Sequence, residues 1–570
     1  MLGARRIHVR ALLGAVVLFG ILFLFLRTTS PSSMSRLESV KLDHFMNHGR
    51  EKSVQAKKGT FDWSTIKFKY LTTDYVHQLP KGKPKVLPRV QHTFRTKETA
   101  GDAAKRNERR DKVREVFKDD WANYREFAWK KDALLPISGG SKEQFGDWAV
   151  TLVDSLDTLW LMGLRDEFEE ALEAVAEINF GASSTPRVNM FETTIRYLGG
   201  LLSAYDLSRR DVLLVKAVEL GDMLYAGFDT PNKLPVDFIN FDSAKEGNGL
   251  SPERWVVSAS PGTLSMEMTR LSQLTGDAKY YDAITRLMKL FEKNQDLTKL
   301  PGLWPIYISI ASMDLTSRSD FTMGGSADSL FEYLPKMHAL VGGLEPMYEN
   351  MTDKFVAAAD KYMFFRPMLP GGEDILISGN VRAEEDGSTP LDPESEHLTC
   401  FIGGTVALAG KLLNRPDYVD TGAKLTDGCA FVYHAFPSGV MPERYNMVPC
   451  EPKRTNSCPW NEEKFLQNAK LRSQYTEDLP KGFTTAKDSR YLLRPEAIES
   501  VFYMYRITGD KKYQETAWEM FESVEKMSKT KHGHASIIDV TLPYDPSDPD
   551  DNLQDYMEVR AYAVIQTPLH

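Results

Sequence analysis

Three stretches of this chain place a carboxylate at the start of an otherwise apolar helical pattern. The most informative is Leu493-Arg494-Pro495-Glu496-Ala497-Ile498-Glu499-Ser500. Pro495 suits the first helical position, because its missing N–H would have had no partner there. Ile498, Val501, Phe502 and Tyr505 follow at helical spacing and predict a buried face. Glu496 and Glu499, three residues apart, share a face. In Phe191-Glu192-Thr193-Thr194-Ile195-Arg196 the apolar set is Ile195, Leu198, Leu202 and Tyr205, and Glu192 lies one turn from Arg196, close enough to pair. Gly324-Gly325-Ser326-Ala327-Asp328 runs from a glycine turn into a short apolar helix, with Asp328 in its first turn. Acidic residues at a helix start can simply complement the helix dipole. On parallel, adjacent helices the three would converge. Convergent carboxylates hydrolyse glycosidic bonds: one protonates the leaving oxygen and another activates water.

The elements that would position them form an irregular repeat. Helical stretches are joined by short polar turns, among them Leu207-Ser208-Arg209-Arg210-Asp211, Thr275-Gly276-Asp277, Asn414-Arg415-Pro416-Asp417 and Thr508-Gly509-Asp510. Such helix–turn–helix units predict an all-α fold, a closed toroid of αα-hairpins whose inner helices all run the same way. Their N-termini then meet at one end. An open α-solenoid is the competing architecture, with the acidic helix starts lining a groove.

The chain has 570 residues, 42% apolar and 26% charged, with a formal net charge of −9. No dense Lys/Arg face stands out beyond the first hundred or so residues, so nucleic acid is not an expected partner. Residues 11–27 read as an uncleaved signal-anchor helix: the run from Ala11 to Leu26 is uninterrupted and apolar, and no small-x-small cleavage site follows. Arg5, Arg6 and Arg10 precede it, which predicts a cytosolic tail over 1–10 and a lumenal remainder. Residues 28–105 are polar, lysine-rich and aperiodic, and are expected to form a flexible stem or linker. The pattern becomes amphipathic from residue 106, with Val113, Val116, Phe117 and Trp121, so 106–570 is the expected lumenal domain. Four cysteines in a lumenal domain suggest two disulfides. Cys450 and Cys458 would close a small loop, and Cys400 and Cys429 would tie two helices. Zinc is disfavoured, since there is no Cys-x-x-Cys pair and no nearby His pair. Asn350-Met351-Thr352 is an N-glycosylation sequon.

The motifs together resemble class I α-1,2-mannosidases, glycoside hydrolase family 47, and fungal members in particular. The resemblance rests on Asn189-Met190-Phe191-Glu192-Thr193-Thr194-Ile195-Arg196-Tyr197, Asp154-Ser155-Leu156-Asp157-Thr158, Ala327-Asp328-Ser329, Tyr333-Leu334-Pro335-Lys336, Glu396-His397-Leu398-Thr399-Cys400 and Leu493-Arg494-Pro495-Glu496. It implies an (αα)7 barrel that trims α-1,2-linked mannose from oligomannose N-glycans, with inversion and with calcium. It also implies a monomeric type II protein of the endoplasmic reticulum or Golgi membrane. Glu192, Asp328 and Glu496 are the implied catalytic carboxylates, Glu496 as the base and either of the others as the acid. Arg196, Glu267, His397, Arg494, Glu499 and Glu558 match positions that contact sugar or line the pocket, and Cys400 and Cys429 match the family disulfide.

The pattern departs from the family after Glu558. The segment Val559 to His570 is not in the family's context, and Thr567 is not matched to the threonine that binds calcium. The resemblance therefore predicts an incomplete seventh hairpin, unassigned metal ligands and impaired activity. The alternative functions are a mannose-glycan-binding protein without catalysis and another inverting glycosidase on a related toroid.

Overall fold

The computed structural model describes residues 54–71, 76–95 and 97–557. The expected cytosolic tail and signal anchor, Glu558 and Thr567 lie outside the described residues. Among the described residues no helix is long and apolar enough to cross a membrane.

Six αα-hairpins carry the fold among the described residues. The long helix α1 (Ala100–Phe127) precedes them. The hairpins are α2 (Leu156–Leu161) with α3 (Arg165–Glu177), α4 (Gly199–Ser208) with α5 (Asp211–Ala226), and α6 (Ser265–Thr275) with α7 (Lys279–Asn294). The others are α8 (Asp328–Leu340) with α9 (Pro346–Tyr362), α10 (Phe401–Leu412) with α11 (Pro416–Ala435), and α12 (Glu496–Thr508) with α13 (Lys512–Ser528). Each first helix packs on the next in chain order, from α2 through α4, α6, α8 and α10 to α12. Each is also covered by its own second helix.

The turns inside hairpins are short because left-handed residues end the first helices abruptly. Arg209, Gly276 and Gly509 have φ of 57°, 75° and 72°, and each donates its N–H back to the closing turn. The links between hairpins are long and carry short strands. The largest sheet joins β1 (Glu394–Glu396), β2 (Arg444–Met447) and β3 (Phe483–Asp488), antiparallel in that order. The all-α expectation is thus incomplete: the helices form the frame, and small sheets brace the loops at the end where the first helices begin.

Helix α10 and helix α11 approach closely because Gly403 and Gly422 face each other with no room for a methyl group. The Cys400–Cys429 disulfide ties the same pair, with Cα atoms 5.9 Å apart. Cys450–Cys458 closes the small loop.

The stem expectation needs correction from residue 54 onward. Residues 54–71 and 76–95 belong to the same compact unit as the helices. Trp63 is 2% exposed, and its indole N–H donates to the Phe180 carbonyl at 2.9 Å. The buried Asp229 carboxylate accepts backbone N–H groups from Lys69, Tyr70 and Leu71. Further on, Lys85 donates to the Gly342 carbonyl and His92 to the Arg506 carbonyl. This strap satisfies its backbone on the helical body instead of on itself, so it shows neither helical nor strand periodicity.

The face predicted on α12 is partly right. Ile498 and Val501 are buried, but Phe502 and Tyr505 are half-buried, and Ala497, Ser500 and Met504 complete the inner stripe. Pro495 caps the helix, one position before the place expected for it.

Candidate active site

The first helices meet at their N-terminal ends around a cavity of about 380 Å³. Its wall takes Asp157 from α2, Ile195 and Arg196 from the stretch before α4, Asp328 from the start of α8, Phe401 from α10, and Glu496 and Glu499 from α12. Of the three carboxylates expected to converge, Asp328 and Glu496 line this cavity, whereas Glu192 is not part of its wall and reaches it through its partner Arg196.

Asn189 caps a short helical turn (Met190–Glu192), its side chain accepting the Glu192 N–H at 2.8 Å. The chain then widens into a π-helical stretch over Thr193–Leu198 before α4. Such stretches often accompany functional sites. The Glu192 carboxylate takes the Arg196 Nε–H at 2.7 Å, as the one-turn spacing predicts. Arg196 also approaches Asp154, at 3.9 Å. The cavity wall passes through Phe191 and Ile195, on either side of Glu192.

Asp328 opens α8 after a turn built on Gly324. A methyl at Gly324 would collide with the Glu396 carboxylate, which accepts the Gly325 N–H. Two turns into α8, the Lys336 ammonium lies 2.5 Å from Glu332 and 3.8 Å from Glu499. Burial disfavours its charge, yet Glu332, Tyr503 and Glu499 outweigh that and hold its pKa well above the ordinary range. Asp157 is pushed up by burial, although Ser203 donates to it at 2.7 Å.

Glu496 is 7% exposed, and its Oε2 lies 3.2 Å from Nδ1 of the fully buried His397. The other ring nitrogen of His397 is 2.8 Å from the Tyr433 hydroxyl. His397 thus stands behind Glu496. Arg494 is likewise outside the cavity wall, its Nε–H donating to Glu443 at 2.5 Å. Glu267 sits behind Tyr333, whose hydroxyl donates to it at 2.6 Å. Burial raises the Glu267 carboxyl to about 7, against the opposing Tyr333 hydrogen bond.

That shift has a thermodynamic sign. The folded state holds the Glu267 proton more tightly than the unfolded chain does, so this contribution is full below about pH 4.5 and is lost as pH rises through about 7. Denaturant unfolding of the wild type should show stability falling across that window. Glu267→Gln should flatten the dependence, and an unchanged slope in the variant would count against it.

Cavity residues that the sequence reading left without a role include Asp154, Asp157, Glu332 and Lys336. Glu332 and Lys336 were within reach, since they lie one and two turns beyond Asp328 on one helix face. Glu443 had no such signal. It sits far from every motif in the chain and meets Arg494 only in space.

Comparison with known proteins now bears on this site. The glycosyl hydrolase family 47 profile matches residues 116–559. The chain belongs to glycosyl hydrolase family 47. This family 47 chain is 35% identical over 444 residues to the probable mannosyl-oligosaccharide alpha-1,2-mannosidase 1B of Neosartorya fischeri, covering 75% of this chain and 83% of that one. It is 33% identical over 473 residues to the endoplasmic reticulum mannosyl-oligosaccharide 1,2-alpha-mannosidase of Homo sapiens, covering 80% of this chain and 60% of that one. Among solved structures, the alpha-1,2-mannosidase from Trichoderma reesei superposes on the family 47 fold with a TM-score of 0.70 at 29% identity, covering 81% of this chain and 93% of that one.

Proposed function

We propose that this chain is an inverting exo-glycosidase that hydrolyses terminal α-1,2-linked mannose from oligomannose N-glycans in glycoprotein processing. The observation that carries the reading is the acidic cavity itself. Its wall bears six carboxylates, on Asp154, Asp157, Asp328, Glu332, Glu496 and Glu499, against the cations Arg196 and Lys336. An excess of negative charge suits an oxocarbenium-like transition state, where positive charge develops on the sugar. Phe191, Tyr333 and Phe401 supply apolar wall against which a pyranose ring can rest.

Glu496 is the base. It takes a proton from water as the water oxygen bonds to the anomeric carbon, on the face opposite the leaving group. The glycosidic C–O bond breaks, and Asp328 or Glu192 supplies the proton that the leaving oxygen requires. Each turnover consumes one water and releases one mannose. Arg196, Glu267, His397, Arg494, Glu499 and Glu558 are proposed to hold the sugar or the catalytic carboxylates in place. A binding-only protein is disfavoured, because Glu192, Asp328 and Glu496 are all retained in the sequence and two of them, Asp328 and Glu496, line the cavity.

The test is release of free mannose from an oligomannose glycan, followed by proton NMR. β-Mannose should appear first and then mutarotate, since attack opposite the leaving group inverts an α-linkage. Early α-mannose would exclude inversion.

Calcium is implied by the family resemblance. Among the described residues no three His, Cys, Asp or Glu side chains gather to hold a metal ion. No step above passes through a cation.

The barrel is proposed to be the family's (αα)7 toroid. Helix α1 supports this: Lys105 and Arg109 bind Glu515 of α13, and Arg125 binds Glu170 of α3, so α1 bridges the outer helices of the first and sixth hairpins among the described residues. We place the chain in the secretory pathway, anchored through residues 11–27 with its domain in the lumen of the endoplasmic reticulum or Golgi, as a monomer.

A further inference from the structure

We infer that Glu443 is the positioning residue of this site, holding the turn that delivers Glu496. The inference rests on the proposed role of Glu496 as base.

Glu443 joins three segments at once. Its carbonyl accepts the His397 N–H at 2.9 Å, and its own N–H donates to the Arg490 carbonyl at 2.8 Å. Its carboxylate accepts the Leu492 N–H at 3.0 Å through one oxygen and the Arg494 Nε–H at 2.5 Å through the other. Between those two donors stands Leu493, with φ of 52°. A branched, buried side chain in the left-handed region is uncommon and persists only where its surroundings over-determine it. The Glu443 carboxylate grips the chain on both sides of Leu493, which supplies that constraint. Pro495 and Glu496 follow at once, so the direction in which α12 starts depends on this turn. A further bond closes the arrangement, the Tyr491 hydroxyl donating to the Arg494 carbonyl at 3.1 Å.

Glu443 also sets the other side of the contact. It immediately precedes β2, and β2 pairs with β1, whose last residue, Glu396, lies opposite Arg444. His397 follows directly. One buried residue, 6% exposed, therefore fixes both partners of the 3.2 Å approach between His397 and Glu496. It does not line the cavity, so it acts through Glu496 rather than on the sugar. A reach of about 1 Å separates a productive carboxylate from an idle one, and misplacement on that scale costs about 10²-fold in rate.

The experiment is a cycle of variants in the full chain. Glu443→Gln keeps an oxygen for Leu492 and loses the charge that holds Arg494. It should lower kcat by about 10²-fold, with KM changed far less and near-ultraviolet circular dichroism retained. Glu443→Asp keeps the charge with a shorter reach and should recover part of the loss. In a Glu496→Gln background, Glu443→Gln should cost almost nothing more, because residues acting as a unit are not additive. Wild-type kcat in a folded Glu443→Gln variant overturns the inference, as does an equal further loss in the Glu496→Gln background. If Glu443→Gln does not fold, Glu443→Asp decides: a folded variant with full kcat and a lowered Tm marks a structural brace only. Retained turnover in Glu496→Gln alone would instead overturn the role of Glu496, a separate failure.

Discussion

Glu496→Gln is expected to lower kcat by about 10²–10⁴-fold, the usual cost of losing a general base. The amide keeps the shape and volume of the side chain. It removes only the capacity to accept a proton from water. The side chain is nearly buried at the first position of α12, its backbone in the helix and its head beside His397. Nothing else about the helix start should change, so circular dichroism and Tm should stay close to wild type. Single-turnover assays on an oligomannose glycan would separate loss of chemistry from loss of binding. Near-normal turnover on a folded domain would remove Glu496 from the mechanism. The same variant should still bind substrate, since the cavity wall keeps its aromatic faces and Arg196.

Trp63→Ala should destabilise the domain by about 3–5 kcal/mol, the range for deleting a buried aromatic side chain. Trp63 lies well before the first helix, in a segment that reads as linker, yet it is buried. Its ring packs edge-on against Phe61 and Phe241, with centroids 4.9 Å and 5.1 Å away, and its N–H is satisfied by Phe180. Substitution leaves both a cavity and an unpaired carbonyl. Chemical denaturation of residues 54–570 with and without the change measures the cost. A loss under about 1 kcal/mol, typical of a surface position, would mean that the strap does not bear on stability.

The Trp63 case shows where sequence reading ends. Helix starts were legible because their signals are local. Pro495 before Glu496 and the glycine turn before Asp328 act within a turn of the residues they organise, and the Glu192–Arg196 pair is set by helical spacing alone. The hairpin turns were legible for the same reason: Gly276 and Gly509 take up backbone angles that end a helix whatever surrounds them. From these alone the chain determined a set of helices with carboxylates at their mouths, and the motif order pointed to one family.

The tertiary structure decided the rest. It showed that the helix mouths share one cavity, that His397 stands behind Glu496 and that Glu267 is sealed behind Tyr333. It also turned residues 54–71 and 76–95 from an expected stem into a strap on the helical body, and brought Glu443 to Arg494. None of these follows from periodicity, because each is a meeting of side chains from segments separated by tens of residues or more. A helix reports its own geometry every three or four positions. A loop or a strap bonds to whatever surface it crosses, so its residues acquire meaning only when that surface has formed.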